Sequence, residues 1–216
     1  SYERRFIYDS DKILLEYNGS NSLLASYTQS GLRADDTLAV NVTSSGVSDN
    51  LANSAGTYTY IKDQLGSIVA VANESGSLVQ SYTYSSFGKL LKISDAAGID
   101  ITADPDIETS YMFANREWDI ETGMYYNRAR YYDADVGRFL QQDPDPGVMS
   151  NPSSLNSKYT YAYNNPLTYT DPKGEFGIVA SIILTGLISG AASKSAGGSF
   201  GEGFISGLKI GAVITT

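Results

Sequence analysis

Cysteine and histidine are both absent from the 216 residues. Their absence excludes a disulfide framework, a thiolate nucleophile and any metal site ligated by Cys or His. A Ser-His-Asp triad cannot be assembled from this chain alone. Basic residues are scarce as well: 15 Lys and Arg against 24 Asp and Glu give a formal charge of −9. Nucleic acid is therefore not expected as a partner, because phosphate binding needs clustered Lys and Arg. No metal or cofactor is expected either. The acidic stretch 94–109 (SDAAGIDITADPDIET) lacks the regular ligand spacing of a calcium loop and reads as a solvated loop. What remains for chemistry is carboxylates, Arg, Tyr, hydroxyls and backbone amides, and that narrows the search to Asp and Glu pairs. No secretory signal opens the chain. Ser1 to Tyr8 reads as a strand already under way, so the sequence is expected to be a segment cut from a larger protein.

Hydrophobic residues make up 42% and charged ones 18%, a composition that folds. The abundance lies in tyrosine, with 17 copies. Residues 6–28 alternate in the β manner around a turn at Asn18-Gly19-Ser20, a strong local hairpin signal. The unit returns 55 positions later: Ile13, Asn18, Ser20, Leu23, Ser26, Tyr27 and Thr28 match Ile68, Asn73, Ser75, Leu78, Ser81, Tyr82 and Thr83. Such recurrence suggests a repeat architecture whose units bury their faces on one another. The polar, turn-rich residues 41–56 between the copies are expected to form an exposed loop. From Tyr111 onward, short aromatic and β-branched bursts predict consecutive short strands, with no helix before Gly174. The tyrosines fit two roles: strand formers that pack a ring and bond a hydroxyl, or an aromatic surface for carbohydrate.

Two Asp-Pro dipeptides punctuate this half, Asp143-Pro144 and Asp171-Pro172. Asp-Pro is a turn former on local grounds, Asp capping the backbone and Pro fixing φ. After Gly174 the composition changes: residues 176–193 carry no charge, and glycines recur at four-residue spacing, at Gly186 and Gly190 and again at Gly203, Gly207 and Gly211. That tail fits a buried helical hairpin, a membrane-contacting segment or a flexible leader.

The stretch from Tyr111 to Gly174 carries Glu117-Trp118-Asp119, Glu121-Thr122-Gly123, Tyr125-Tyr126 and Arg128-Ala129-Arg130-Tyr131-Tyr132-Asp133. It continues with Gly137-Arg138-Phe139, Asp143-Pro144, Asn165-Pro166 and Asp171-Pro172-Lys173-Gly174. In this order they resemble the Rhs repeat-associated core that ends the YD-repeat shell of bacterial polymorphic toxins, a family shared with the C components of Tc toxins and, more distantly, with teneurins. The resemblance implies an all-β fold: YD-repeat hairpins (1–57), the Rhs core (58–175), and the apolar start of a variable toxin region (176–216). It implies an aspartic autoprotease that cuts just after the DPxG element, with Arg138, Asp143 and Asp171 on the active positions. The expected bond is Glu175–Phe176 first and Gly174–Glu175 second, because Glu175 stands where the family commonly has Leu. The interval between the two Asp residues is also longer than the family's, so Asp145 is an alternative to Asp143. Implied partners are the rest of the shell, the cleaved C-terminal toxin, an immunity protein and a secretion apparatus. The implied location is that of an exported effector made in the bacterial cytoplasm. A non-catalytic surface module that binds glycans or a receptor is the alternative, and a glycosidase without motif support ranks last.

Overall fold

Five hairpin turns in the first hundred residues are built on one plan. A computed structural model describes residues 3–30, 36–144, 157–171 and 173–175. Its first eight strands are β1 (Arg4–Asp9), β2 (Lys12–Asn18), β3 (Leu23–Gln29), β4 (Thr37–Val42), β5 (Gly56–Lys62), β6 (Ile68–Ala72), β7 (Leu78–Tyr84) and β8 (Leu90–Asp95). They form a single antiparallel meander in chain order. In each of five turns an Asn, Asp or Ser side chain accepts backbone N–H groups from residues further round the turn. Those residues are Asn18, Asp63, Asn73, Ser85 and Asp95. Three residues after each, the backbone enters the left-handed region, at Asn21, Gly66, Gly76, Gly88 and Gly98. The side chain satisfies donors that a tight turn strands, and Gly or Asn tolerates the positive φ. Only two of these turns were legible as a repeat. In the Asn18-Gly19 turn the left-handed residue is Asn21 and not the glycine, so matching on glycine fails.

The inward face carries Tyr27, Val40, Tyr58, Tyr60, Val71, Tyr82 and Ile93, all buried. Across that face runs the chain from 107 to 116, tied by its own polar groups. Gln80 donates to the Ile107 carbonyl at 2.8 Å and accepts from the Ile107 N–H at 3.0 Å. Tyr111 accepts from the Ile13 N–H, Met112 from the Ile68 N–H, and Ser67 from the Ala114 N–H. A segment can cross a sheet interior only if its backbone finds partners there. The acidic stretch 94–109 is thus not simply a solvated loop: Ile101 donates to Ile93, and Ile107 and Thr109 are buried.

Residues 41–56 also depart from the expected exposed loop. Asn41 and Val42 end β4, and a single helical turn α1 (Ser44–Ser48) follows, capped by the Thr43 hydroxyl. It lies so close to β3 that a Cβ on Gly46 would stand 2.5 Å from the Leu24 carbonyl oxygen. Leu51 and Ala52 behind it are buried. Small residues, which read as a loop, are what allow this close packing. The sequence division between residues 57 and 58 falls inside β5, and the sheet runs through it unbroken.

A second antiparallel sheet holds β9 (Glu117–Asp119), β10 (Met124–Asn127), β11 (Arg130–Asp133) and β12 (Arg138–Phe139), in the order β12-β11-β10-β9. It is fastened to the Ser85–Lys89 turn of the larger sheet. Tyr125 donates its hydroxyl to the Gly88 carbonyl at 2.9 Å and Tyr132 to that of Phe87 at 2.7 Å. The Phe113 ring fills the space that a Cβ on Gly88 would need, 2.3 Å away. Tyr27, Tyr58, Tyr60, Tyr82, Tyr111, Tyr125, Tyr132 and Tyr161 are buried. Their role is structural: each ring packs, and the bonded hydroxyls avoid the penalty of a dry polar group.

Candidate functional site

Strand periodicity decides which arginine enters the interior. Successive residues of a strand face opposite sides. In β11, Arg130 and Tyr132 point inward, while in β12 Phe139 points inward and Arg138 is exposed. Arg138, expected at the active position, is therefore turned away from both carboxylates. Its neighbour Phe139 serves the site instead, its ring centroid 3.6 Å beneath the Arg130 guanidinium carbon. A signal for Arg130 existed in the sequence: it lies two residues before Tyr132, and so on the same strand face.

Arg130 uses each of its nitrogens. Nη2 lies 3.1 Å from Asp143 Oδ2 and 3.1 Å from Asp171 Oδ2, with all three side chains at most 5% exposed. Nη1 donates to the Lys158 carbonyl at 3.0 Å, and Nε donates to the Gly174 carbonyl at 2.5 Å. Two carboxylates distant in sequence thus converge on one cation that also grips the backbone just beyond the second of them. Asp143 donates its own N–H to Lys158 at 2.9 Å, so the Lys158 carbonyl positions both Asp143 and Arg130. Asn127, wholly buried, donates to the Asp171 carbonyl at 3.3 Å. Asp145 and Phe176, like residues 176–216 as a whole, lie outside the described residues.

The electrostatics separate the groups. Burial pushes the Asp171 carboxyl up to about 6, with nearby Asp143 adding to the rise, against the opposing pull of Arg130 and the N–H groups of Gly174 and Lys173. Burial pulls Arg130 below its ordinary value, and the two aspartates oppose that pull. A buried carboxyl raised to about 6, beside a second aspartate, is the arrangement an acid–base pair needs. Among the described residues no cluster of acids is arranged to hold a metal ion.

Gly174 is held tightly. Its φ is +64°, and a Cβ there would stand 2.2 Å from the Asn127 carbonyl oxygen. Gly174→Ala is therefore expected to lift the chain off Arg130 and to slow any reaction at this backbone by tenfold or more. Time courses on a denaturing gel check this, with circular dichroism showing the sheets intact.

A family model described as Teneurin YD-shell matches residues 47–167, over half of the chain. The tRNA3(Ser)-specific nuclease WapA of Bacillus spizizenii is 31% identical over 174 residues, 79% of this chain and 6% of that protein. Double-stranded DNA deaminase toxin A of Burkholderia cenocepacia is 28% identical over 183 residues, 82% of this chain and 12% of that protein. The chain thus spans only a small part of either relative's length. The crystal structure of TcdB2-TccC3-Cdc42 shares the fold, with a TM-score of 0.58 and 23% identity over 80% of this chain and 8% of that one. Match, hairpin repeat and meander agree: this chain belongs to the teneurin YD-shell family.

Proposed function

We propose that this segment closes a YD-repeat toxin shell and cuts its own backbone just after the Asp171–Gly174 element. The observation that carries the reading is the single Arg130 guanidinium, which joins Asp143, Asp171 and the Gly174 carbonyl. Asp143, as the anion, takes a proton from water, and the resulting hydroxide attacks the scissile carbonyl carbon. Asp171 gives its proton to the carbonyl oxygen. The tetrahedral intermediate collapses as Asp143 gives its proton to the leaving nitrogen, the C–N bond breaks and a hydroxyl of the intermediate returns a proton to Asp171, so that a new carboxyl and a new amine are formed. Arg130 holds one carboxylate ionised and keeps the Gly174 carbonyl in register. The bond cut is Glu175–Phe176: Gly174 is packed against Asn127, which leaves little room for water there, whereas Glu175 is exposed. The segment beyond the cut stays enclosed by the shell, which separates a harmful product from the cell that makes it. The relatives' names fit this role, two of them being a nuclease and a toxin.

The test uses the whole protein from which the segment comes. Denaturing electrophoresis and intact mass should show two fragments, the smaller beginning at Phe176, and native electrophoresis should show them migrating together. A smaller fragment that begins at Glu175 moves the cut to Gly174–Glu175. An uncut chain overturns the reading and leaves the two Asp-Pro elements as turns. The pH profile gives a further expectation. Asp171 must be protonated to act as the acid, and its carboxyl titrates near 6. Cleavage should therefore be fast below about pH 6 and fall about tenfold per unit above it. A rate that rises with pH through 6 would exchange the roles of the two aspartates.

A further inference from the structure

Between the edge strand β1 and the small sheet lies a cleft of about 1080 Å³ that the proposed cutting reaction does not use. Its walls are aromatic on both sides. Phe6 and Tyr8 of β1, paired at 6.3 Å, line it together with Trp118 and with Tyr126 and Tyr131, which are paired at 5.3 Å. Its polar lining is acidic: Asp11, Glu16, Glu108, Glu117, Asp119 and Glu121 face two guanidinium groups, those of Arg4 and Arg128. Both arginines are already engaged, Arg4 with Glu16 and Glu108, and Arg128 with Asp11. Six carboxyl groups thus outnumber two guanidinium groups in the lining, with Arg128 and the neighbouring Arg116 both acting on Glu117. The Glu117 carboxyl, which accepts from the Tyr8 hydroxyl at 3.1 Å, is pushed up to about 7 chiefly by its burial.

Rings set among surplus carboxylates make the environment that holds organic cations, since the ring faces and the acids both attract positive charge. The volume reaches the upper end of small-molecule sites and so admits more than one ammonium group. We propose that the cleft binds a basic polypeptide segment, several residues long, whose Lys or Arg side chains lie against the rings and pair with Glu117, Asp119 and Glu121. The same charge pattern repels nucleic acid. The site is separate from the Asp143–Asp171 pair and stands whether or not the chain cuts itself.

Trp118 is the only tryptophan in the chain and lines the cleft, so its fluorescence reports occupancy directly. The experiment titrates this chain with a capped tetralysine peptide, a capped tetraglutamate peptide and spermidine. Tetralysine should shift Trp118 emission saturably, and raising salt from about 0.05 to 0.5 M should weaken it tenfold or more. Glu117→Gln should weaken binding about tenfold. Glu121→Gln, at an exposed position that leaves folding untouched, should weaken it about threefold. No saturable shift with tetralysine, equal binding of tetraglutamate, or unchanged affinity in both variants overturns the proposal. Spermidine binding as tightly as tetralysine overturns the polypeptide assignment in favour of a small polyamine.

Discussion

Asp171→Asn should leave the whole protein in one piece on a denaturing gel, because the proposed cut needs its carboxyl. The substitution keeps the shape of the side chain and removes the carboxyl that holds a proton near 6. Without it no acid meets the developing oxyanion, and a loss of about 10²- to 10⁴-fold follows from removing a positioned acid or base. Asp143→Asn should do the same by removing the base. Stability separates chemistry from folding here. Each variant leaves Arg130 one carboxylate partner, so the melting transition should move little below about pH 4, where Asp171 is protonated folded or unfolded. Asp171 is, if anything, a burden on the fold when ionised. With its folded value raised, the native state binds the proton more tightly than the unfolded chain does. Stability is thus greatest below the unfolded value and falls as pH rises from about 4 to about 6, by up to about 3 kcal/mol. Asp171→Asn should flatten that slope while abolishing the cut. Cleavage at the wild-type rate by either single variant would end the paired-carboxylate mechanism.

Arg130 and Arg138 should behave in opposite ways. Arg130→Met strips the cation from two buried carboxylates and frees the Gly174 and Lys158 carbonyls. Removing one partner of a buried ion pair costs about 3–5 kcal/mol, because the other is left charged and dry. The loss should show in urea unfolding and shrink at acid pH, since a carboxyl without Arg130 protonates more readily. Arg130→Lys should not restore the cut: a single ammonium cannot reach both carboxylates and two carbonyls as a planar fork does. Arg138→Ala, at an exposed position on the other strand face, should cut as the wild type does and unfold within about 0.5 kcal/mol of it. A stable, cutting Arg130→Met variant beside an inert Arg138→Ala would return the role to Arg138.

Local sequence was enough for those features that depend on local physics. Alternation of Phe6, Tyr8 and Ile13 to Tyr27 is a period-two pattern, and the Asn18 turn follows from side-chain bonding to the next few amides, so the all-β hairpin repeat was readable without partners. The lack of His and Cys already confined chemistry to carboxylates. Residues 44–52 were misjudged because small and polar residues look alike whether they face water or, like Gly46, lie against a backbone carbonyl. The choice between Arg130 and Arg138 needed tertiary structure. Both stand next to aromatic residues in short strands, and which face of β11 and β12 turns inward is set by pairing across the sheet, where Tyr132 meets Phe139. The cleft is likewise invisible along the chain, because Tyr8 and Glu117 meet across 109 residues. Turns and strand periods are encoded within a few neighbouring residues. The meeting of Asp143, Asp171 and Arg130 depends on how residues 157–171 fold back onto the small sheet, where Phe139 donates to the Tyr159 carbonyl and Asn127 to the Asp171 carbonyl, contacts between residues far apart in the chain.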